Sequence, residues 1–165
     1  MQGDRLPAPL LPAEGDVKGD LVQDTPPACL PAASRARIAP FISDRPNWDG
    51  VVTIEGGGTH HWLHISAGEV ISMMGFLTPR LIADLGGAPQ PDMTALSDTM
   101  SRPERLAAQL CSAQIAGDGR ALTGHLIGAE LAAPKAYWLG QEVVLIGQGP
   151  YLDALKAQGV SVSVF

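Results

Sequence analysis

The chain has 165 residues, 45% of them hydrophobic and only 5% aromatic, which is enough apolar material for one domain with a core and argues against disorder of the whole chain. A formal net charge of −6 without any Lys/Arg cluster disfavours nucleic-acid binding. No apolar run approaches the ~18 residues of a membrane span, and the first residues place Asp4, Arg5 and prolines where a secretory signal needs an apolar stretch, so a cytoplasmic protein is expected. The two cysteines, Cys29 and Cys111, match no metal or redox spacing and are expected as reduced, buried thiols.

Eight of the fourteen prolines lie in the first fifty residues, so residues 1–45 are expected as a Pro-rich, irregular arm. A short helix over residues 33–43 is the exception, with Ile38, Phe41 and Ile42 on one face. The remainder, residues 46–165, is expected as one α/β domain. Residues 51–55 form a β-rich run and residues 56–58 a glycine break. Residues 59–66 then alternate, with His61, Leu63 and Ile65 on one face and Trp62 and His64 on the other. A second turn at residues 67–69 leads to a third strand at 70–75, and tight turns between short strands predict an antiparallel meander. Helices are expected at 76–85, stopped by Gly86 and Gly87, and at 102–115, while residues 88–100, with Pro89 and Pro91, read as a linker. A helix at 122–133, a buried strand at 143–147, a helix at 150–158 and a closing strand at 160–165 complete the chain. The last three should form a right-handed β-α-β unit. A meander, then helices, then β-α-β is the layout of a ribonuclease-H-like domain, a statement about fold and not function.

Three stretches suggest chemistry. In Glu55-Gly-Gly-Gly-Thr59-His60, backbone N–H groups of a glycine turn plus the Thr59 hydroxyl suit a phosphate; a plain hairpin turn needs the same residues. In residues 122–133, Gly124 and Gly128 stand four apart and leave one helix face bare, open either to another helix or to a flat ligand such as adenine. Glu130 on that helix is either a polar contact or a surface charge. In residues 143–155, a buried strand ends at Gly147 and passes through Gln148, Gly149 and Pro150 into a helix, where ligands of α/β sheets bind. An ordinary β-α turn has the same pattern, and neither a Walker lysine nor GxGxxG is present. His60, His61 and His64 do not share a strand face, which disfavours zinc. Asp16, Asp20, Asp24, Asp44 and Asp49 are equivalent candidates for a base, and nothing in the sequence selects one.

Taken together, these stretches resemble the 2-dehydro-3-deoxygalactonokinases. Residues 49–62, DGVVTIEGGGTHHW, are similar to the strand and PGTHxKW segment of that family. Residues 66–72 and 76–78 resemble the hairpin and Phe/Thr segment that follow. LTGHLIGAEL at 122–131 is similar to the family's SGLLIGAEL helix, and Tyr137-Trp138-Leu139-Gly140 with the VVLIG strand continues the order. The resemblance implies an actin-like ATPase fold and use of ATP and Mg²⁺. It also implies transfer of the γ-phosphoryl group to the hydroxyl of a 2-keto-3-deoxy sugar acid. By the same resemblance Gly57, Gly58, Thr59 and His60 correspond to the phosphate turn, and Gly147 and Gly149 to the adenosine side. The chain departs from the family in three places. It has no DxGxT turn, its residues 26–30 stand where the family has MRGEE, and the hairpin lysine is missing. These departures imply weak or absent catalysis, and a non-catalytic nucleotide- or protein-binding module, completed by a second copy as a homodimer, is the alternative.

Overall fold

The computed structural model describes residues 3–11 and 19–165. In chain order the strands are β1 (Asp4–Arg5), β2 (Ala8–Pro9), β3 (Leu21–Gln23), β4 (Ala28–Leu30), β5 (Gly50–Gly56), β6 (Thr59–Ser66), β7 (Glu69–Phe76), β8 (Glu142–Ile146) and β9 (Ser161–Val164). The helices are α1 (Ala32–Ser43), α2 (Thr78–Leu85), α3 (Met93–Ser101), α4 (Leu106–Ala116), α5 (Gly119–Ala132), α6 (Lys135–Trp138) and α7 (Tyr151–Ala157), with a 3₁₀ turn at Pro103–Arg105. The main sheet has the order β2-β7-β6-β5-β8-β9, and a small sheet joins β1, β3 and β4. Strands β5, β6 and β7 pair antiparallel in sequence, whereas β8 joins β5 in parallel and β9 joins β8 in parallel.

Alternation along β5 explains the two cores. Val52 and Ile54 face one side with Leu63, Ile65, Val144 and Ile146, and α1 covers them through Ile38, Phe41 and Ile42. Val51 faces the other side with Trp62, Val143 and Leu145, under α3, α5, α6 and α7. Being covered on both faces, β5 carries no exposed residue before Glu55.

The Pro-rich beginning is part of the first core. Leu10, Leu21 and Leu30 have no exposure, and each such side chain stabilises the fold by about 1.5–3 kcal/mol through burial. Arg35 of α1 is 1% exposed and holds the segment in place. Its guanidinium donates to the carbonyls of Leu10, Pro9 and Gly19 and pairs with Asp4 at 2.7 Å.

Three sequence expectations are corrected: the described part of residues 1–45 is not irregular, since β1–β4 form there; Cys29 is half-buried and Cys111 exposed, so the thiols are not both buried; and the segment before α4 holds a helix. Residues 88–100 are not a linker, because α3 begins at Met93. Asp92 caps it by accepting from the Ala95 N–H at 2.8 Å, and Leu96 is fully buried. The prolines at 89 and 91 precede the cap, where they do not interrupt the helix. Its Ser, Thr and Asp residues masked an apolar stripe of Met93, Leu96 and Met100. The remaining helices start and stop close to expectation: Gly86 and Gly117 end α2 and α4 in the left-handed conformation.

Candidate functional site

Strands β5 and β8 run in parallel with Ile54 opposite Ile146, so both end at one edge of the sheet. There the chain leaves β5 through residues 56–58 and leaves β8 through residues 147–150. Between these exits opens a cleft of about 680 Å³, lined by Glu55, Gly147, Gln148, Gly149, Pro150 and Tyr151, by Pro79 and Ile82 of α2, and by Thr123 of α5. Gly147 has φ +97°, a backbone conformation that a side chain would strain. Gly57 (φ +65°) and Gly58 (φ +76°) are the two central residues of the hairpin that pairs Gly56 with Thr59. Their glycine requirement is thus met by the turn itself. The Arg80 side chain lies beside Gly58, where a built Cβ would be 3.7 Å from Arg80 Nε. Gly147 and Gly149 line the cleft; Gly57, Gly58 and Thr59 fall between Glu55 and His60, which line a recess beside it.

That recess, about 40 Å³, shares Glu55, Leu145, residues 147–149 and Tyr151 with the cleft and adds Arg37, Thr53 and His60. It is the size of one water molecule. The Thr53 hydroxyl, 1% exposed, has no protein partner. Arg37 of α1 ties the two strand ends, donating from its guanidinium to the Glu55 carbonyl at 2.8 Å and the Ile146 carbonyl at 3.4 Å.

Beneath these residues lies Glu130, 2% exposed. His60 Nδ1 lies 2.5 Å from its Oε1, the Trp62 indole N–H donates to the same oxygen at 2.8 Å, and the Tyr151 hydroxyl donates to Oε2 at 2.8 Å. Burial pushes this carboxyl up, but the His60 charge and the donors outweigh it and hold it below the ordinary value. Tyr151 is pushed well above the ordinary phenol range, first by burial and then by Glu130 and Glu55. The His60 and Tyr151 rings stack at 3.9 Å with 19° between planes.

The sequence-derived site residues are thus divided. Gly147, Gly149 and His60 come together around the cleft and recess. Gly124 and Gly128 do not face it: a Cβ on either would collide with main-chain atoms of Asp92 or Leu96, so a helix and not a flat ligand occupies the face they leave. His61 turns the other way and bonds through Nε2 to the Cys29 carbonyl at 3.0 Å; burial lowers its basicity. Among the described residues no group of three or more His, Cys, Asp or Glu side chains is placed to hold a metal ion. Asp20 and Asp49 bond backbone N–H groups and Asp24 pairs with Arg5; Asp16 lies outside the described residues. Among the described residues the one carboxylate in the cleft lining is Glu55. Its position at the end of a buried strand was readable; its aim was not. Glu130 follows Leu126 by four and Ile127 by three residues, a helical signal for the buried face.

No protein-family model matches the chain, and no curated protein matches it. Among solved structures it is similar to a protein from Sinorhizobium meliloti described as a "putative 2-dehydro-3-deoxygalactonokinase", with a TM-score of 0.79 and 23% identity. The match covers 98% of this chain and 67% of that one, and at this identity it establishes a shared mixed α/β fold.

Proposed function

We propose that the cleft binds a nucleoside triphosphate and that the chain carries the nucleotide half-site of a sugar-acid kinase. The observation that carries this reading is the glycine-rich exit of β8, residues 147–149, beside Glu55 at the end of the neighbouring β5, both lining a cleft of about 680 Å³. That size is within the range of small-molecule sites, and the carboxyl ends of parallel strands are where α/β sheets bind ligands. Pro79, Ile82, Pro89 and Leu152 offer apolar walls for a purine, while Gln90, Gln148 and Thr123 offer polar contacts. The strand order β7-β6-β5-β8-β9 supports a ribonuclease-H-like assignment for residues 46–165, with residues 1–45 read as the remnant of a first domain. The shared fold with the Sinorhizobium protein supports ATP as the nucleotide.

Mg²⁺ that accompanies a nucleotide is held by one or two carboxylates plus phosphate oxygens. Glu55 fits that demand. Bound there, the ion would neutralise charge on the transferring phosphoryl group. Arg37, anchored on the β5 and β8 carbonyls, adds fixed positive charge to the recess. Phosphorylation of 2-dehydro-3-deoxy-D-galactonate is the finer reading. The second reading, a nucleotide-binding module without turnover, is favoured by the single carboxylate of the lining and by a lining without lysine.

Calorimetric titration with Mg·ATP and a parallel thermal melt test the reading. Saturation at 100 times Kd stabilises by about 2.7 kcal/mol, equivalent to a rise in Tm of roughly 5–11 °C for a chain of this size. A side chain at residue 149 meets only Tyr151, at 3.8 Å, so Gly149→Val is tolerated by the fold while adding bulk to the cleft lining. It is expected to weaken ATP at least about tenfold, a change of ~1.4 kcal/mol. No heat and no shift at millimolar ATP would overturn the reading. Phosphate transfer to the sugar acid then separates kinase from binding module.

A further inference from the structure

A carboxylate buried as deeply as Glu130 is costly unless every lone pair is used, and an apolar residue would pack in its place without that cost. What the carboxylate achieves is a junction. His60 stands two residues after the glycines of the hairpin, and Tyr151 directly follows residues 147–150. Both bond Glu130. The stacked His60 and Tyr151 rings close the circuit, so His60, Glu130 and Tyr151 form a triangle of mutual contacts. In a close-packed interior such a triangle transmits a shift of one corner to the other two.

We propose that Glu130 is a positioning residue that couples the hairpin of residues 56–58 to the turn of residues 147–150, so that a nucleotide seated against one is registered at the other. The proposal rests on the nucleotide reading above. Trp62 supplies the reporter: it has no exposure, does not line the cleft, and donates its indole N–H to Glu130. The other two indoles donate elsewhere, Trp48 to Glu142 and Trp138 to the Leu131 carbonyl, and serve as internal controls.

The experiment is an NMR titration of the ¹⁵N-labelled chain with Mg·ATP, following the Gly149 amide and the three indole N–H signals. Trp62 is expected to shift in step with Gly149 while Trp138 stays in place. Tyr151→Phe removes only the hydroxyl; it is expected to abolish the Trp62 response and to weaken ATP about tenfold. Glu130→Gln is expected to do the same, and the double variant to be no weaker than either single one, the signature of residues acting as a unit. A Gly149 shift with Trp62 unmoved overturns the coupling and leaves the nucleotide reading intact. Additive losses in the double variant also overturn it. No shift at Gly149 overturns both.

Discussion

Gly128→Ala separates packing from propensity within α5. In an exposed helix this substitution stabilises by about 1 kcal/mol, because alanine loses less backbone entropy than glycine. Here the new Cβ would collide with the Leu96 carbonyl oxygen and come within 3.1 Å of Leu96 C and Cα. These are main-chain atoms of α3 at a residue with no exposure, so no side chain can rotate away. The two helices must separate instead, and overpacking of that kind costs about 1–3 kcal/mol. Set against the ~1 kcal/mol gained in propensity, the net loss is up to about 2 kcal/mol, read as a fall in Tm of up to roughly 8 °C. Urea unfolding should show a lower midpoint with an unchanged slope. Shortening the neighbour in a Leu96→Ala background gives no rescue, since the obstacle is backbone. A Gly128→Ala that stabilises by the ~1 kcal/mol of an exposed helix would refute the close approach of α3 and reopen this face to a ligand.

Two further outcomes follow from buried polar groups. Glu130 titrates below its ordinary value of 4.5 in the fold, so the native state favours its ionised form; the stabilisation is complete above that value and is lost as the pH falls through the lower folded value. The stability gap between the wild type and Glu130→Gln, measured by urea unfolding, should therefore be widest near pH 7 and close below pH 4.5; a gap that stays constant would contradict the ionised junction. His61, held below 6.5 chiefly by burial, loses its contribution as the pH falls below that value in both proteins; Glu130 is the smallest of the influences on it, so little of this change enters the difference. Thr53→Val keeps the side-chain shape and removes an unpartnered buried hydroxyl, so it is expected to be neutral or to stabilise by up to about 1 kcal/mol. A loss above that in the melt would mean that the hydroxyl has a bonding role.

Much of the sheet was legible because its strands carry period-two patterns bounded by glycine turns: residues 51–55, 59–66 and 70–75 fall within β5, β6 and β7. The same applies to β8, α7 and β9, where a buried apolar run, a glycine stop and a short alternating end follow one another. Helix α3 was not legible, since Asp92 as a cap is recognisable only once Leu96 is known to be inside. The candidate site was half legible. Glycine marks places where the backbone bends or approaches something, but sequence does not say what approaches. At 147 and 149 it is the cleft; at 124 and 128 it is another helix. Glu130 was visible as a charge on a helix with an apolar stripe, yet its three partners come from positions 60, 62 and 151, and only the fold brings them together.

The side-chain amide of Gln23 donates to the Met73 carbonyl at 2.9 Å and accepts from the Met73 N–H at 2.8 Å, while β2 pairs with Val70 and Glu69 further along the same strand. A glutamine side chain thereby does at one residue what a neighbouring strand does along a ladder. The outer margin of β7 is closed by two pieces of the Pro-rich segment, one using backbone and one using a side chain. Exposed strand margins are templates for unwanted pairing. At this end of the sheet the template is used up from within, so any lateral extension of the sheet is directed to the opposite margin, at β9. The prolines that make the segment unfit for regular structure also make it a poor platform for a further strand, because each removes a donor. The segment therefore terminates the sheet as well as anchoring it.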